Sequence, residues 1–171
     1  MKTLIILSAM PGSGKSTWAN KYQEEHPHTL IVSSDQIRYE LTGTTQDFSK
    51  QKEVWDLFSF RIHEYAKKYD DVTVILDALN DLNCLREKYV KENPEFDRYE
   101  LVLFPRTLEQ IKFYNKQRKE CSVVPDEQLE MLARPFSVKY LSFSIWKPPF
   151  TAITLSLSSR TTFTALPFFE R

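Results

Sequence analysis

Ten consecutive residues, Ser8-Ala-Met-Pro-Gly-Ser-Gly-Lys-Ser-Thr17, have the types and spacing needed to hold a polyphosphate. A small residue, Ala9, is followed by four variable positions and then Gly14-Lys15-Ser16, which fits the phosphate-binding P-loop pattern with Ala9 in place of its first glycine. The apolar run Leu4-Ile-Ile-Leu7 precedes the loop and a helical pattern follows it, the setting such a loop requires. Gly12 and Gly14 let backbone N–H groups turn inward toward the phosphates, and Pro11, Ser13 and Thr17 complete the cradle. Lys15 supplies a mobile cation, the Ser16 hydroxyl a ligand for Mg²⁺, and the helix opening near Ser16 its positive dipole end. ATP and Mg²⁺ are the cofactors these residues imply.

Four further positions carry possible chemistry. Asp35 closes a second apolar strand, where a carboxylate can take the proton of an incoming hydroxyl; Ser34 or Asp35 would equally serve as the N-cap of the helix that follows. Arg38, three residues on, shares a helix face with Asp35, either to hold an acceptor beside that base or to pair with the carboxylate at the surface. Asp77 ends the strand Val72-Thr-Val-Ile-Leu-Asp77 and can reach Mg²⁺ or an acceptor. Arg118 lies in a basic cluster with Lys112, Lys116 and Lys119 late in an expected helix, as a solvated face or as a lid cation over the transferred phosphoryl group. His26, His28 and His63 share no ligand spacing, and Trp18 and Trp55 read as core residues.

The elements that must position these groups alternate. Strands are expected at Thr3–Ser8, Thr29–Ser33, Val72–Leu76 and Tyr99–Phe104. Helices are expected at Ser16–Glu25, from Ser34-Asp35 to Leu41, at Ser49–Tyr69, Leu82–Glu92 and Leu108–Glu120, and from Pro125 onward. That order predicts a three-layer α/β sandwich of the P-loop NTPase type, a mostly parallel sheet flanked by helices. Ligands then bind at the carboxyl ends of the strands, where the loop, Asp35 and Asp77 all fall.

The chain has 171 residues, 42% hydrophobic and 27% charged, with zero formal net charge, so no global basic field marks it as a binder of long nucleic acid. Cys84 and Cys121 make neither a metal pattern nor a disulfide framework, and no leader or membrane-spanning run is expected. The expected setting is therefore cytoplasmic, without a membrane partner or an evident obligate protein partner. After Arg134 the composition shifts: residues 135–171 hold one acid, Glu170, against Lys139, Lys147, Arg160 and Arg171. The reading is a domain over 1–134 and an atypical Ser/Phe/Pro-rich tail over 135–171. In that tail Leu141, Phe143 and Ile145, then Ile153, Leu155 and Leu157, alternate at strand period.

One set of residues resembles a known family. Pro11-Gly-Ser-Gly-Lys-Ser-Thr17, Ser33-Ser-Asp-Gln-Ile-Arg38, Asp77-Ala-Leu-Asn80 with Arg86, Asn115-Lys-Gln-Arg118 and Val124-Pro125 look like the P-loop kinases related to the 5′-kinase domain of phage polynucleotide kinase. The resembled family is of the AAA-type ATP-binding kind, and zeta-toxin-like kinases are more distant relatives. The resemblance covers about residues 1–136. It implies an ATP-dependent kinase acting on a hydroxyl, with a 5′-hydroxyl RNA or DNA end as the family-led acceptor. A nucleoside, sugar nucleotide or other metabolite, or a non-catalytic ATP-binding regulator, are the other readings. By resemblance, Lys15 and Ser16 serve phosphates and Mg²⁺, Asp35 is the general base, Arg38 contacts an acceptor phosphate and Arg118 is a lid residue. The sequence departs from the family at Leu79, where many relatives carry Thr, and from Phe136 onward, where a shifted reading frame or a fused segment is the expected origin.

Overall fold

Leu4, Ile5, Ile6 and Leu7 are wholly buried although they are consecutive, which in a strand requires cover on both faces. The two faces separate as the two-residue period demands. Leu4 and Ile6 join Val32, Val74, Leu76, Ile37, Phe58 and Ile62 in one apolar cluster, whereas Ile5 and Leu7 join Ile75, Val102, Ala19 and Phe104 in another. The computed structural model describes residues 1–104, 106–118, 123–140, 151–156 and 163–167.

The elements run β1 (Lys2–Ser8), α1 (Lys15–Glu25), β2 (Thr29–Ser33), α2 (Ser34–Thr42), α3 (Gln51–Lys68), β3 (Val72–Asp77), α4 (Asn83–Glu92), β4 (Arg98–Leu103), α5 (Leu108–Asn115), α6 (Asp126–Tyr140), β5 (Thr151–Ser156) and β6 (Phe163–Pro167). The sheet order is β2-β3-β1-β4-β5-β6. The first four strands are parallel, and β5 and β6 add antiparallel at the β4 edge. This is the expected sandwich around a mostly parallel sheet. Helix α1 covers the face of Ile5 and Leu7 through Ala19, Trp18 and Tyr22. Helices α2, α3 and α4 cover the other through Ile37, Phe58, Ile62 and Tyr89. Each buried Leu or Ile of β1 contributes roughly 1.5–3 kcal/mol relative to exposure.

Register aligns the functional ends of the strands. Ile6 lies opposite Leu76, and Ser33 opposite Asp77. The chain therefore leaves β1, β2 and β3 at the same, carboxyl end of the sheet, carrying the P-loop, Asp35 and Asp77 with it.

Two expectations need correction. The N-cap of α2 is Ser33, whose hydroxyl accepts from the Gln36 N–H, not Ser34 or Asp35. Strand β2 ends there, so Asp35 lies in the first helical turn, where its charge opposes the positive dipole end. Helix α5 stops at Asn115 rather than Glu120, leaving Arg118 on a turn. Its stop is side-chain driven: Asn115 Nδ2 donates to Val124 O at 2.7 Å and Asn115 Oδ1 accepts from Val124 N at 3.1 Å. Residue 134 falls inside α6, and the alternating stretch of Leu141, Phe143 and Ile145 lies outside the described residues, as do Lys119 and Cys121. No helix among the described residues is long and apolar enough to cross a membrane.

Candidate active site

The loop between β1 and α1 is built for an anion. Gly12 and Gly14 have φ of 78° and 91°, left-handed values that turn their N–H groups where other residues would be strained. Gly14 caps α1 without a side-chain hydrogen bond, and the first turn of α1 holds no acid. The N–H groups that open α1 are thus left without the side-chain acceptor that caps α2 or α5. Ser13 N donates to Met10 O at 3.2 Å, and Ala9 N to Leu79 O at 3.3 Å, which ties the loop to the segment after β3.

Asp77 stands at the centre. The Ser16 hydroxyl donates to Asp77 Oδ2 at 2.7 Å, and Lys15 Nζ lies 3.9 Å from Oδ1. Asp77 is 6% exposed, yet Oδ1 accepts no hydrogen bond. A buried carboxylate oxygen without a donor is costly unless a cation completes it. The surrounding donors are hard oxygens, the set Mg²⁺ prefers. Ser16 and Asp77 therefore fit a magnesium ion, although no cluster of three or more His, Cys, Asp or Glu able to hold a metal occurs among the described residues.

Behind Asp77 a buried polar network fixes the strand ends. Asn80, at φ 45°, donates from Nδ2 to Leu7 O at 2.8 Å and to Leu76 O at 3.3 Å. The Ser8 hydroxyl donates to Asn80 O at 2.8 Å. Arg86 Nη1 donates to Ser8 Oγ at 2.8 Å, Asn80 O at 2.9 Å and Asp81 O at 3.2 Å. Leu79, the departure from the resembled family, packs against the apolar cluster of Met10, Ile111 and Leu129.

Asp35 and Arg38 form the second focus. Arg38 Nη1 donates to Asp35 Oδ1 at 2.7 Å, and Nη2 to Gln51 Oε1 at 3.4 Å. The pair is unequal: the Arg38 side chain is 5% exposed and that of Asp35 53%. It is not a solvated surface pair. A buried cation holds one oxygen of a half-exposed carboxylate.

A third group braces the loop from the far side. Arg106 Nε donates to Ser13 O at 3.0 Å, and its guanidinium stacks 4.7 Å from the Tyr114 ring centroid. Helix α5 presses so closely that a Cβ on Gly12 would meet Ile111 O at 3.2 Å and Asn115 Cβ at 3.4 Å. Arg118 is half-buried on the turn after α5, its backbone N–H donating to Asn115 O at 3.2 Å. Lys112 faces elsewhere, ion-paired with Glu130 of α6 at 2.6 Å.

A family model described as an AAA domain matches residues 4–138. The chain belongs to this AAA-domain family. Among solved structures, a chain of the Pnkp1/Rnl/Hen1 RNA repair complex matches with a TM-score of 0.73 at 21% identity, over 84% of this chain and 46% of that one. Kti12 of Chaetomium thermophilum, in complex with ADP-AlF3, matches with a TM-score of 0.55 at 18% identity, over 77% of this chain and 79% of that one. A gluconokinase from Sinorhizobium meliloti 1021 matches with a TM-score of 0.50 at 15% identity, over 78% and 74%. At these identities the likeness concerns the fold, that of the nucleotide-binding P-loop kinases, as the motifs lead one to expect. The chain spans less than half the length of the Pnkp1/Rnl/Hen1 complex chain it matches. Among curated proteins no sequence matches this AAA-domain chain significantly.

The AAA-domain site thus gathers Lys15, Ser16 and Asp77 by direct contact, and Asp35 with Arg38 at the neighbouring strand end. Sequence reasoning missed Arg106 and the bracing role of Asn115. The one local signal was a capping box at Thr107 and Gln110, which marks where α5 begins and hence that Arg106 stands just before it.

Proposed function

We propose that this protein is an ATP- and Mg²⁺-dependent kinase that transfers the γ-phosphoryl group to the 5′-hydroxyl of a polynucleotide end. The observation that carries the reading is the half-exposed Asp35 carboxylate, held by buried Arg38, one strand from the Lys15–Ser16–Asp77 cluster. A phosphate site alone would serve a hydrolase or a sensor. An adjacent, accessible and oriented carboxylate adds what transfer to a hydroxyl requires.

In this mechanism the acceptor hydroxyl approaches the γ-phosphorus beside Asp35, which accepts its proton. The new oxygen–phosphorus bond forms as the bond from γ-phosphorus to the β–γ bridging oxygen breaks, and ADP leaves. Lys15, the loop N–H groups and Arg118 offset charge on the phosphoryl oxygens. Arg38 positions the acceptor and holds Asp35 oriented. Ser16 and Asp77 would hold Mg²⁺, which when bound neutralises phosphate charge. Positioning and charge stabilisation dominate, because the transition state is loose.

Transfer from γ-labelled ATP tests this, with a 5′-hydroxyl oligonucleotide offered beside nucleosides and sugars and a Lys15→Ala protein run in parallel. Label on the oligonucleotide that is lost in the variant is the expected result. Label on a small molecule alone keeps the mechanism and replaces the acceptor. No label from folded, ATP-binding protein overturns the kinase reading in favour of a nucleotide-binding regulator.

A further inference from the structure

The loop joining α2 to α3 keeps a large apolar ring in water. Phe48 is 58% exposed, yet it is held in place: the Arg38 guanidinium carbon lies 4.5 Å from its ring centroid. The loop around it is tied down by its own side chains. Thr42 Oγ1 donates within this turn and accepts from Thr44 N at 3.4 Å, Thr44 Oγ1 accepts from Gln46 N at 3.3 Å, and Asp47 Oδ1 accepts from Ser49 N at 2.8 Å. Lys50 Nζ closes the loop on Leu41 O at 3.0 Å. An ordered loop that presents a phenyl ring to solvent forgoes the stabilisation of burying it, roughly 1.5–3 kcal/mol.

The ring's position gives it a use. One guanidinium touches both Phe48 and Asp35, so the ring stands on the Asp35 side of the site. Arg38 is also deeply buried, with both Nη atoms hydrogen-bonded to Asp35 and Gln51, so it is a fixed backing for the ring. An exposed aromatic face of this kind recognises a flat, apolar ligand surface, and nucleobases are stacked in this way regardless of sequence. A sugar acid or a bare phosphate has no such face.

Resting on the kinase reading above, we propose that Phe48 is an acceptor-specificity residue: it stacks the base of the nucleotide whose 5′-hydroxyl meets Asp35. The acceptor class is thereby narrowed to hydroxyls attached to a base-bearing sugar.

The test compares two 5′-hydroxyl oligonucleotides on the full chain, identical except that the 5′ residue of one is an abasic tetrahydrofuran. Transfer kinetics are measured with ATP and Mg²⁺. Affinity is read separately, by fluorescence anisotropy of 3′-fluorescein-labelled copies with Mg²⁺ and a non-hydrolysable ATP analogue. The expected result for the wild type is a KM and a Kd about ten-fold lower for the base-bearing strand, within the range for one stacked base. Phe48→Leu should erase that preference, with the loss falling on KM rather than kcat, and Phe48→Tyr should restore it. An equal loss of kcat on both strands would assign Phe48 to holding Arg38 and overturn the proposal, as would a wild type without preference. If neither strand is phosphorylated, the polynucleotide reading fails on its own. A ten-fold affinity preference that depends on Phe48 would then still support the base platform, and equal affinities would overturn it.

Discussion

Ser16 and Asp77 meet at the carboxyl end of the sheet, the serine hydroxyl donating to one carboxylate oxygen at 2.7 Å while the other oxygen accepts nothing. Pairing with β1 and β2 fixes the end of β3, and Ser8, Asn80 and Arg86 bond to one another just past it. Folding has thus already brought the carboxylate and the hydroxyl together, which lowers the entropy lost when a cation joins them.

Replacing Asp77 by Asn keeps its shape and removes its charge. We expect transfer to fall about a hundred-fold or more, with a higher Mg²⁺ concentration needed for half-maximal rate. A magnesium titration of the variant checks this. A reduced rate at an unchanged magnesium requirement would place Asp77 against the acceptor instead.

If Asp35 is the proposed base, its removal separates chemistry from binding. The Asp35→Ala protein should lose about 10²–10⁴-fold in transfer, the usual contribution of a general base, while ATP affinity measured by calorimetry stays close to that of the wild type. Parallel losses in both would remove the base role. Arg38→Lys should also fail, because an ammonium cannot reproduce the planar contacts to Asp35, Gln51 and the Phe48 ring.

These two sites were legible in the sequence for a physical reason. The P-loop, Asp35 and Asp77 each follow a short apolar strand, and in a parallel sheet all such strand ends fall at its carboxyl end, so local pattern implies tertiary neighbourhood. Arg106 and Phe48 carry no such guarantee. Arg106 touches a loop 93 residues away, and Phe48 sits in an irregular turn whose direction depends on side-chain hydrogen bonds. No Gly or Pro marks the end of α5; a buried Asn115 bonded to Val124 does. At α2 three consecutive residues could all cap a helix, and only the length of β2 selects Ser33.

Glycine substitutions discriminate strain from crowding. Gly12 and Gly43 both have φ of 78°, but an added Cβ meets Ile111 O at 3.2 Å at the first and nothing within 4 Å at the second. Gly43→Ala should cost about 1–2 kcal/mol from backbone strain alone. Gly12→Ala should cost about 1 kcal/mol more, and should also weaken ATP binding. Chemical denaturation of both variants measures the difference.

Helices α2 and α3 are joined by Glu40 and Arg61. The hydrogen bond from Arg61 holds the Glu40 carboxyl below its ordinary value of 4.5. A depressed acid stabilises the fold above its unfolded pKa and loses that contribution as pH falls through the lower folded value. The Glu40 side chain is 37% exposed, so solvent screening limits the pair to less than about 1 kcal/mol. Glu40→Gln should therefore be slightly less stable than the wild type at neutral pH, and the gap should close in acid. A gap that persists after Glu40 is protonated would show that packing rather than charge is responsible.

Arg106 makes the case that the loop's shape is held from outside. Its Nε–H holds the Ser13 carbonyl at 3.0 Å, and the Tyr114 ring fixes the guanidinium plane. A hydrogen bond from a charged donor contributes roughly 1.5–3 kcal/mol, and this one acts on the peptide next to Gly14. Arg106→Ala should raise the KM for ATP by about ten-fold, the equivalent of 1.4 kcal/mol, with a smaller effect on the KM for the acceptor. Lysine keeps the charge but neither the fork nor the stacked plane. If Arg106 shapes the loop, Arg106→Lys should behave like Arg106→Ala; if only its charge matters, Lys should rescue. Steady-state kinetics of the two variants, varying ATP and acceptor separately, distinguish these outcomes. A change confined to the melting temperature would reduce Arg106 to a structural strut.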